Sequence, residues 1–205
     1  MPDVLLATRN PGKIREIRAI AADSPLVWHG LAEFPAVPEA DETGATFAEN
    51  ARLKALHSGA ATGLPTLADD SGLEVDALGG EPGVHSARFA GLPRDDAANN
   101  RKLIHLLADV PAQRRTARFR CAMAFVRDGR VVLETQGTFE GVICDVPRGA
   151  NGFGYDPHFL VPDLGLTAAE LPSDEKNARS HRGQALRAML AELVAYYRAL
   201  GQWDA

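Results

Sequence analysis

Residues 67–80 read LADDSGLEVDALGG, in which two adjacent carboxylates follow a short apolar run and precede a Ser-Gly pair. The apolar run is typical of a buried strand, so we expect Asp69 and Asp70 where that strand meets a loop. Successive strand side chains point to opposite faces, so one carboxylate can face a cleft while the other braces the turn. Two carboxylates this close repel unless a cation, a proton or a donor satisfies them. Two interpretations follow: a polar turn held by backbone N–H groups, or a divalent-metal site beside a phosphate ligand.

The composition is that of an ordinary globular protein. The chain has 205 residues, 45% hydrophobic and 24% charged, which suits one domain with a substantial core. It has no stretch of membrane-spanning length and no signal-like N-terminus, so we expect a cytoplasmic protein without membrane contact. The net charge of −5 argues against stable nucleic-acid binding but allows one nucleotide in a locally basic pocket. Cys121 and Cys144 lack metal-ligand spacing and are expected to be reduced packing residues.

The N-terminal segment suggests an anion site. Residues 3–7 are predicted to form a buried strand, and Ile14, Ile17 and Ile20 recur at helical spacing after a Gly-containing loop. Free N–H groups and the dipole at such a helix start favour a phosphate, and Lys13 in the first turn is unfavourable without an anion nearby. An ordinary turn with a surface lysine explains the same residues, and the Walker glycine pattern is absent.

The next segment contributes further acidic and polar side chains. Residues 39–42 hold an acidic cluster, which is either solvated or supplies a second metal ligand. Thr46 and Glu49 form a capping box, so a helix is predicted from there to about residue 62, with Gly63 as its C-terminal stop. Asn50 and Lys54, four apart, share one stripe of that helix and face either a polar site or, for the lysine, solvent.

The second half of the chain changes period. Residues 117–125 alternate as a strand does, Asp128 and Gly129 form a hairpin turn, and residues 131–142 return as the partner strand. This hairpin is predicted to be antiparallel and to form a second sheet or lobe. Helices are predicted from Asp95 or Asp96 and, near the C-terminus, from Ser180. The last helix is predicted to pack one apolar face in the core, made of Leu186, Met189, Leu190, Leu193, Val194 and Tyr197.

An aromatic loop follows the hairpin. In residues 149–157, glycines flank Phe153 and let the backbone approach a ligand closely. The ring can stack on a nucleotide base, since every base offers a π-face, or it can plug the core at a turn.

Seven segments in sequence order resemble the inosine/xanthosine triphosphate pyrophosphatase family, whose members hydrolyse non-standard purine nucleoside triphosphates. They span nearly the whole chain, namely residues 7–13, 42–44, 47–51, 69–73, 82–88, 152–157 and 176–183.

The resemblance implies an α/β fold with an elongated mixed β-sheet flanked by helices, two lobes within one domain (1–205) and a central cleft. It implies Mg²⁺ on Asp70 with help from Glu42, a proton-accepting role for Asp70, and a homodimer. The substrate-binding residues it implies are Thr8, Arg9, Asn10, Pro11, Gly12, Lys13, Ser71, Phe153, Gly154, Tyr155, Asp156, Lys176, His181 and Arg182.

The expected reaction is hydrolysis of ITP, dITP or XTP to the monophosphate and pyrophosphate. Hypoxanthine and xanthine present a keto acceptor where adenine presents an amino donor, so Arg182 and backbone N–H groups are expected to favour the keto bases. The alternatives are a nucleotide-binding sensor without turnover and a related pyrophosphatase acting on other modified nucleotides.

Overall fold

The computed structural model describes residues 1–202, which contain seven β-strands and five α-helices. The strands are β1 (Asp3–Leu6), β2 (Val27–Gly30), β3 (Thr66–Val75), β4 (Thr116–Arg127), β5 (Arg130–Ile143), β6 (Phe159–Val161) and β7 (Leu166–Thr167). The helices are α1 (Pro11–Ile20), α2 (Phe47–Thr62), α3 (Asp96–Leu106), α4 (Ser173–Arg179) and α5 (His181–Ala199).

The strands form one mixed sheet in the order β2-β1-β3-β4-β5-β6-β7. β1 is parallel to both of its neighbours, with Val4 opposite Trp28 and Leu6 opposite Leu67. The β5–β6 and β6–β7 pairs are antiparallel. The predicted α/β class with a mixed sheet flanked by helices is therefore confirmed.

The chain divides into two compact units. Unit 1 contains residues 1–70, residues 121–137 and the described residues from Arg182 on, and unit 2 contains residues 71–120 and 138–181. Because β3, β4 and β5 each contribute residues to both units, the chain passes between the units within single strands.

Unit 1 is built around an apolar core that lies between the strands β1, β3 and β4 and the helices α1 and α5. Leu6 of β1, Leu67 of β3 and Phe125 of β4 are buried there against Ile17 of α1 and Met189 of α5. Burying each such side chain contributes about 1.5–3 kcal/mol. The predicted apolar face of the last helix is thus confirmed as core.

Unit 2 has its own aromatic core. Phe159 of β6 contacts Phe119 of β4 and Phe139 of β5, with ring centroids 4.4 and 5.3 Å apart. Leu73 of β3 and Leu103 of α3 are fully buried in the same cluster. This packing fixes α3 in unit 2.

The prediction that β3 ends at the paired carboxylates was wrong. The strand continues from Thr66 to Val75, and Asp69 and Asp70 lie in its middle. β3 is an inner strand between β1 and β4, so ladder hydrogen bonds on both edges outweigh the turn propensity of Asp-Asp-Ser-Gly.

The prediction of a separate second sheet was also wrong. Asp128 and Gly129 do form the hairpin turn, with φ of 52° and 71°, but β4 and β5 belong to the same sheet as β1. An alternating pattern shows that a strand is half-buried and does not show which sheet it joins. The short helix α4 was missed by the sequence analysis.

Candidate active site

The loop before α1 is organised by Asn10. Its side-chain Oδ1 accepts hydrogen bonds from the N–H groups of Gly12 and Lys13, at 2.8 and 3.2 Å, and Pro11 occupies the first turn. Thr8 Oγ1 accepts from the Asn10 N–H at 3.2 Å. The expectation of free N–H groups at this helix start is therefore corrected, because Asn10 caps two of them.

Arg9 and Lys13 of this loop have protein partners. Arg9 donates to the Val37 carbonyl oxygen at 2.7 Å, and Lys13 Nζ lies 2.9 Å from Asp69 Oδ2. The anion that the sequence required near Lys13 is thus supplied in this structure by the Asp69 carboxylate.

Asp69 lies among buried cations in unit 1. Its Oδ2 contacts Lys13 and, at 3.4 Å, the guanidinium of Arg182, which also donates to Glu16. Asp69 and Arg182 are 1% and 2% exposed. Burial acts to raise the pKa of the Asp69 carboxyl, but Lys13, Arg182 and Lys54 together hold that pKa well below its usual range. Burial lowers the pKa of Lys13, and the Asp69 charge opposes that shift.

Asp70 points to a different set of partners. Its Oδ1 accepts from Lys54 Nζ at 2.7 Å and its Oδ2 accepts from Asn50 Nδ2 at 3.2 Å. The same ammonium lies 3.2 Å from Glu42 Oε1. The two adjacent aspartates therefore serve separate ion pairs on opposite faces of one strand, as the period of two requires.

Helix α2 delivers Asn50 and Lys54 to this position. Thr46 accepts from the Glu49 N–H at the helix start, and Gly63, in the left-handed region with φ of 72°, ends the helix. The option of a solvent-facing Lys54 is thus wrong, since its side chain is largely buried against Asp70 and Glu42.

The loop before α2 is held close to Asn50. The Gly44 N–H donates to Asn50 Oδ1 at 2.8 Å, and a Cβ at Gly44 would lie only 2.7 Å from that oxygen. Asn50 is therefore fixed through both ends of its amide, between Gly44 and Asp70.

The chemistry of Asp70 and Glu42 fits a hard divalent cation. Both carboxylates converge on one ammonium, which shows that they can share a cation, and oxygen ligands are those that Mg²⁺ prefers. Within residues 1–202, no group of three or more His, Cys, Asp or Glu side chains is arranged to hold a metal ion. Mg²⁺ commonly takes only one or two carboxylates and completes its coordination with water and substrate phosphates, so two carboxylates suffice.

The aromatic loop of unit 2 is held by buried charge. Asp156 Oδ2 accepts from the Phe153 N–H at 2.9 Å and from Lys176 Nζ at 2.5 Å. Lys176 Nζ also lies 5.3 Å from the centroid of the Phe153 ring. Gly152 and Gly154 have φ of 75° and 62°, and a Cβ at Gly152 would collide with Asp156. Phe153 is only partly buried.

The remaining predicted residues of unit 2 are Ser71, Tyr155 and His181. Tyr155 is buried and donates to the Ser86 carbonyl oxygen at 2.8 Å. The His181 ring stacks on Phe119 with centroids 4.9 Å apart and is 5% exposed. Ser71, the next residue of β3 after Asp70, is half-buried.

Each unit thus gathers part of the predicted site. Unit 1 holds Lys13 and Arg182 in one cluster around Asp69 and holds Asp70 and Glu42 in another around Lys54. Unit 2 brings Phe153, Asp156 and Lys176 together. The sequence analysis missed Glu16, expected one of Asp69 and Asp70 to brace a turn, and took solvent as the default environment of Lys54. The four-residue spacing of Asn50 and Lys54 was the available signal that Lys54 faces the same polar site as Asn50.

The fold is that of an α/β protein whose predicted site residues lie in buried clusters of paired carboxylates and ammonium groups. The chain belongs to the Ham1 family, whose family model matches residues 4–192.

Curated relatives and solved structures agree with that membership. The dITP/XTP pyrophosphatase of Exiguobacterium sibiricum is 51% identical over 193 residues, covering 94% of this chain and 98% of that protein. The dITP/XTP pyrophosphatase of Methylococcus capsulatus is 52% identical over 196 residues, covering 94% and 96%. A HAM1 protein from Coxiella burnetii has a TM-score of 0.86 at 44% identity, covering 95% of this chain and 100% of that one. The Staphylococcus aureus Ham1 protein has a TM-score of 0.84 at 39% identity, covering 95% and 99%.

Residues 1–202 include no helix that is both long enough and apolar enough to span a membrane.

Proposed function

We propose that this protein hydrolyses non-standard purine nucleoside triphosphates, with dITP, ITP and XTP as substrates, to the monophosphate and pyrophosphate. The observation that carries the proposal is the convergence of Asp70 and Glu42 on the Lys54 ammonium. Asp69, the preceding residue of β3, holds Lys13 in a second ion pair. Relatives of about half-identical sequence are named dITP/XTP pyrophosphatases, which supports this choice of substrate class.

We propose Mg²⁺ as the cofactor, held by Asp70 and Glu42. The ion pairs of Lys54 join one ammonium to the carboxylates of Asp70 and Glu42, so these three groups carry one net negative charge. A triphosphate carries about four negative charges, so this set favours it only when a divalent cation is added. When bound, the metal supplies charge neutralisation at the phosphoryl oxygens and activation of water.

Asp70 has the capacity for the proton-accepting role. A carboxylate offers about four lone-pair sites on two oxygens, and Lys54 and Asn50 use one on each oxygen. The remaining sites can orient an attacking water and accept its proton. Lys13 offers an ammonium to phosphate oxygens once it exchanges its Asp69 partner, and Asn10 holds the loop around it.

For the base, we propose the aromatic loop of unit 2. Phe153 is only partly buried and is the candidate stacking residue, and the Lys176–Asp156 pair fixes the backbone beside it. Arg182 as a reader of the keto group stays a prediction. Its guanidinium is buried between Asp69 and Glu16, so removing it also leaves two carboxylates without their cation.

The test is a panel of dITP, XTP, dATP and dGTP assayed for pyrophosphate with and without Mg²⁺. We expect pyrophosphate and monophosphate from dITP and XTP, far less from dATP and dGTP, and none after removal of the metal. Tight dITP binding without pyrophosphate release would instead identify a sensor. Faster release from a modified pyrimidine nucleotide would identify the related pyrophosphatase.

We also propose a cytoplasmic homodimer, on the strength of the family resemblance. Leu92 and Val146 of unit 2 are 77% and 69% exposed, so apolar surface is available for association. Light scattering coupled to size-exclusion chromatography should give twice the chain mass of 21.9 kDa, and a mass of one chain would contradict the proposal.

A further inference from the structure

Gly154, the residue after the stacking candidate Phe153, is bound on both of its backbone groups by helix α3. Its N–H donates to Asp96 Oδ2 at 2.9 Å, and its carbonyl oxygen accepts from Asn100 Nδ2 at 2.9 Å. Asp96 and Asn100 are four residues apart and so share one face of the helix. Together they form a two-point clamp on a single residue of the aromatic loop.

The clamp completes the fixation of the Phe153 backbone. The peptide group before Phe153 is held by its N–H bond to Asp156, and the peptide group after it is held by the Gly154 N–H bond to Asp96. Because peptide groups are planar, fixing both of them fixes φ and ψ of Phe153 and therefore the direction of its Cα–Cβ bond, from which the ring projects. Gly154 itself needs φ of 62°, a conformation that a glycine adopts without strain.

The clamp residues contribute little to the core of unit 2. Asp96 is exposed on the first turn of α3, whereas the core contact of that helix is made by Leu103. Asn100 Oδ1 is buried and has no hydrogen-bond partner within residues 1–202, which destabilises the folded state. The Asn100 amide therefore has one group without a partner among the described residues and one group that binds Gly154. Its contact with the aromatic loop accounts for an amide at this position.

We propose that Asp96 and Asn100 are positioning residues that hold Phe153 and its neighbouring backbone for recognition of the purine, and so set the preference between keto and amino bases. This inference rests on the proposed function. A loosened loop lets its backbone donors and acceptors re-pair with a wrong base, which reduces the penalty for that base.

We predict opposite effects on base selectivity for two substitutions that preserve side-chain size. Asp96→Asn keeps an oxygen that accepts from the Gly154 N–H, so selectivity should be retained. Asn100→Asp places a carboxylate against the Gly154 carbonyl oxygen and removes the donor, so selectivity should fall. Asp96→Ala removes the acceptor and should behave as Asn100→Asp does. Asp95→Ala is the matched control, because Asp95 caps the same helix through the Ala98 N–H and does not contact the loop.

The first measurement is the ratio of kcat/KM for dITP over dATP. We expect about a tenfold fall in Asp96→Ala and Asn100→Asp, mainly through a higher KM for dITP, and an unchanged ratio in Asp96→Asn and Asp95→Ala. Each substitution also changes the charge of the protein, which affects binding of the triphosphate. Because dITP and dATP carry the same triphosphate, this effect cancels in the ratio. A ratio that is unchanged in Asp96→Ala and Asn100→Asp, or that falls equally in Asp95→Ala, would overturn the proposal.

The second measurement needs no substrate. Hydrogen exchange of the Gly154 amide should accelerate at least about tenfold in Asp96→Ala relative to Asp95→Ala, because only the former removes its acceptor. Unchanged exchange would overturn the clamp itself. If the wild-type protein released no pyrophosphate from dITP, the proposed function and the selectivity claim would both fail, and the exchange result would still decide whether the loop is held by α3.

Discussion

At the scale of single residues, the neighbouring carboxylates Asp69 and Asp70 have different partners. Asp69 is buried with Lys13 and Arg182, and Asp70 contacts Lys54 and Asn50. The period of a strand predicts this separation from the sequence alone. The identity of the partners could not be predicted, because they come from segments far away along the chain.

Lys54 links Asp70 to Glu42, so replacing it tests the cation site directly. Lys54→Met leaves the two carboxylates without their shared cation, and we expect lower stability in the absence of metal. Mg²⁺ binding to the folded state should then raise the Tm of the variant more than that of the wild type. The measurement is thermal unfolding with and without Mg²⁺. Lys54→Arg, which keeps a cation there, is the control, and an equal Mg²⁺ response in Lys54→Met and wild type would contradict the assignment.

Gly44 offers a test of how tightly Asn50 is held. A Cβ at Gly44 would lie 2.7 Å from both Asn50 Oδ1 and Glu49 Cβ, so Gly44→Ala should destabilise the fold by about 1–3 kcal/mol. Urea unfolding gives the free-energy difference. At Gly30 the nearest atom to an added Cβ is 3.9 Å away, so Gly30→Ala should cost far less. Equal costs at the two positions would show that Asn50 has room to move.

At the scale of elements, helix α2 positions Asn50 and Lys54 against Asp70 of β3. Ala51 and Ala55 are fully buried, and such small residues let the helix lie close to the sheet, which brings Lys54 within reach of Asp70. The capping box and Gly63 predicted both ends of α2 because those signals are local in sequence.

Thr46 begins α2, so its loss should affect both the helix and the site. Thr46→Ala removes the acceptor for the Glu49 N–H and should lower the free energy of unfolding by about 1 kcal/mol. Chemical denaturation followed by circular dichroism measures this. Thr46→Ser keeps the hydroxyl and should be close to wild type, whereas an equal loss in both variants would assign the effect to the lost methyl group.

Other elements show where local signals are insufficient. Residues 69–72 have turn chemistry and yet lie in the middle of β3, because pairing with β1 and β4 is a long-range effect. Helix α4 is only seven residues long and its start at Pro172 has no side-chain cap, so its acidic first turn and basic last turn were the only local signals of a helix. Its tertiary contacts stabilise it, among them the buried pair of Lys176 with Asp156.

At the scale of the whole molecule, the seven segments that resemble a known family predicted the family and the mixed sheet. Periodicity alone predicted that the β4–β5 hairpin forms a second sheet or lobe, whereas both strands belong to the same seven-stranded sheet as β1. The hydrophobic pattern of one strand does not specify which strands pair with it. The order of motifs along the chain does indicate the strand pairing when that order resembles a known family.

The central claim is that Asp70, at the middle of an inner strand, serves both as a magnesium ligand and as the proton acceptor. The most direct measurement is pyrophosphate release from dITP by Asp70→Asn in the presence of Mg²⁺, with Asp41→Asn as the control for loss of an acidic charge in the loop beside Glu42. Asn keeps the size of the side chain but neither the charge nor the basicity, so we expect at least about a hundredfold fall in kcat with an unchanged circular dichroism spectrum. Near-normal turnover by a folded Asp70→Asn protein would contradict the account.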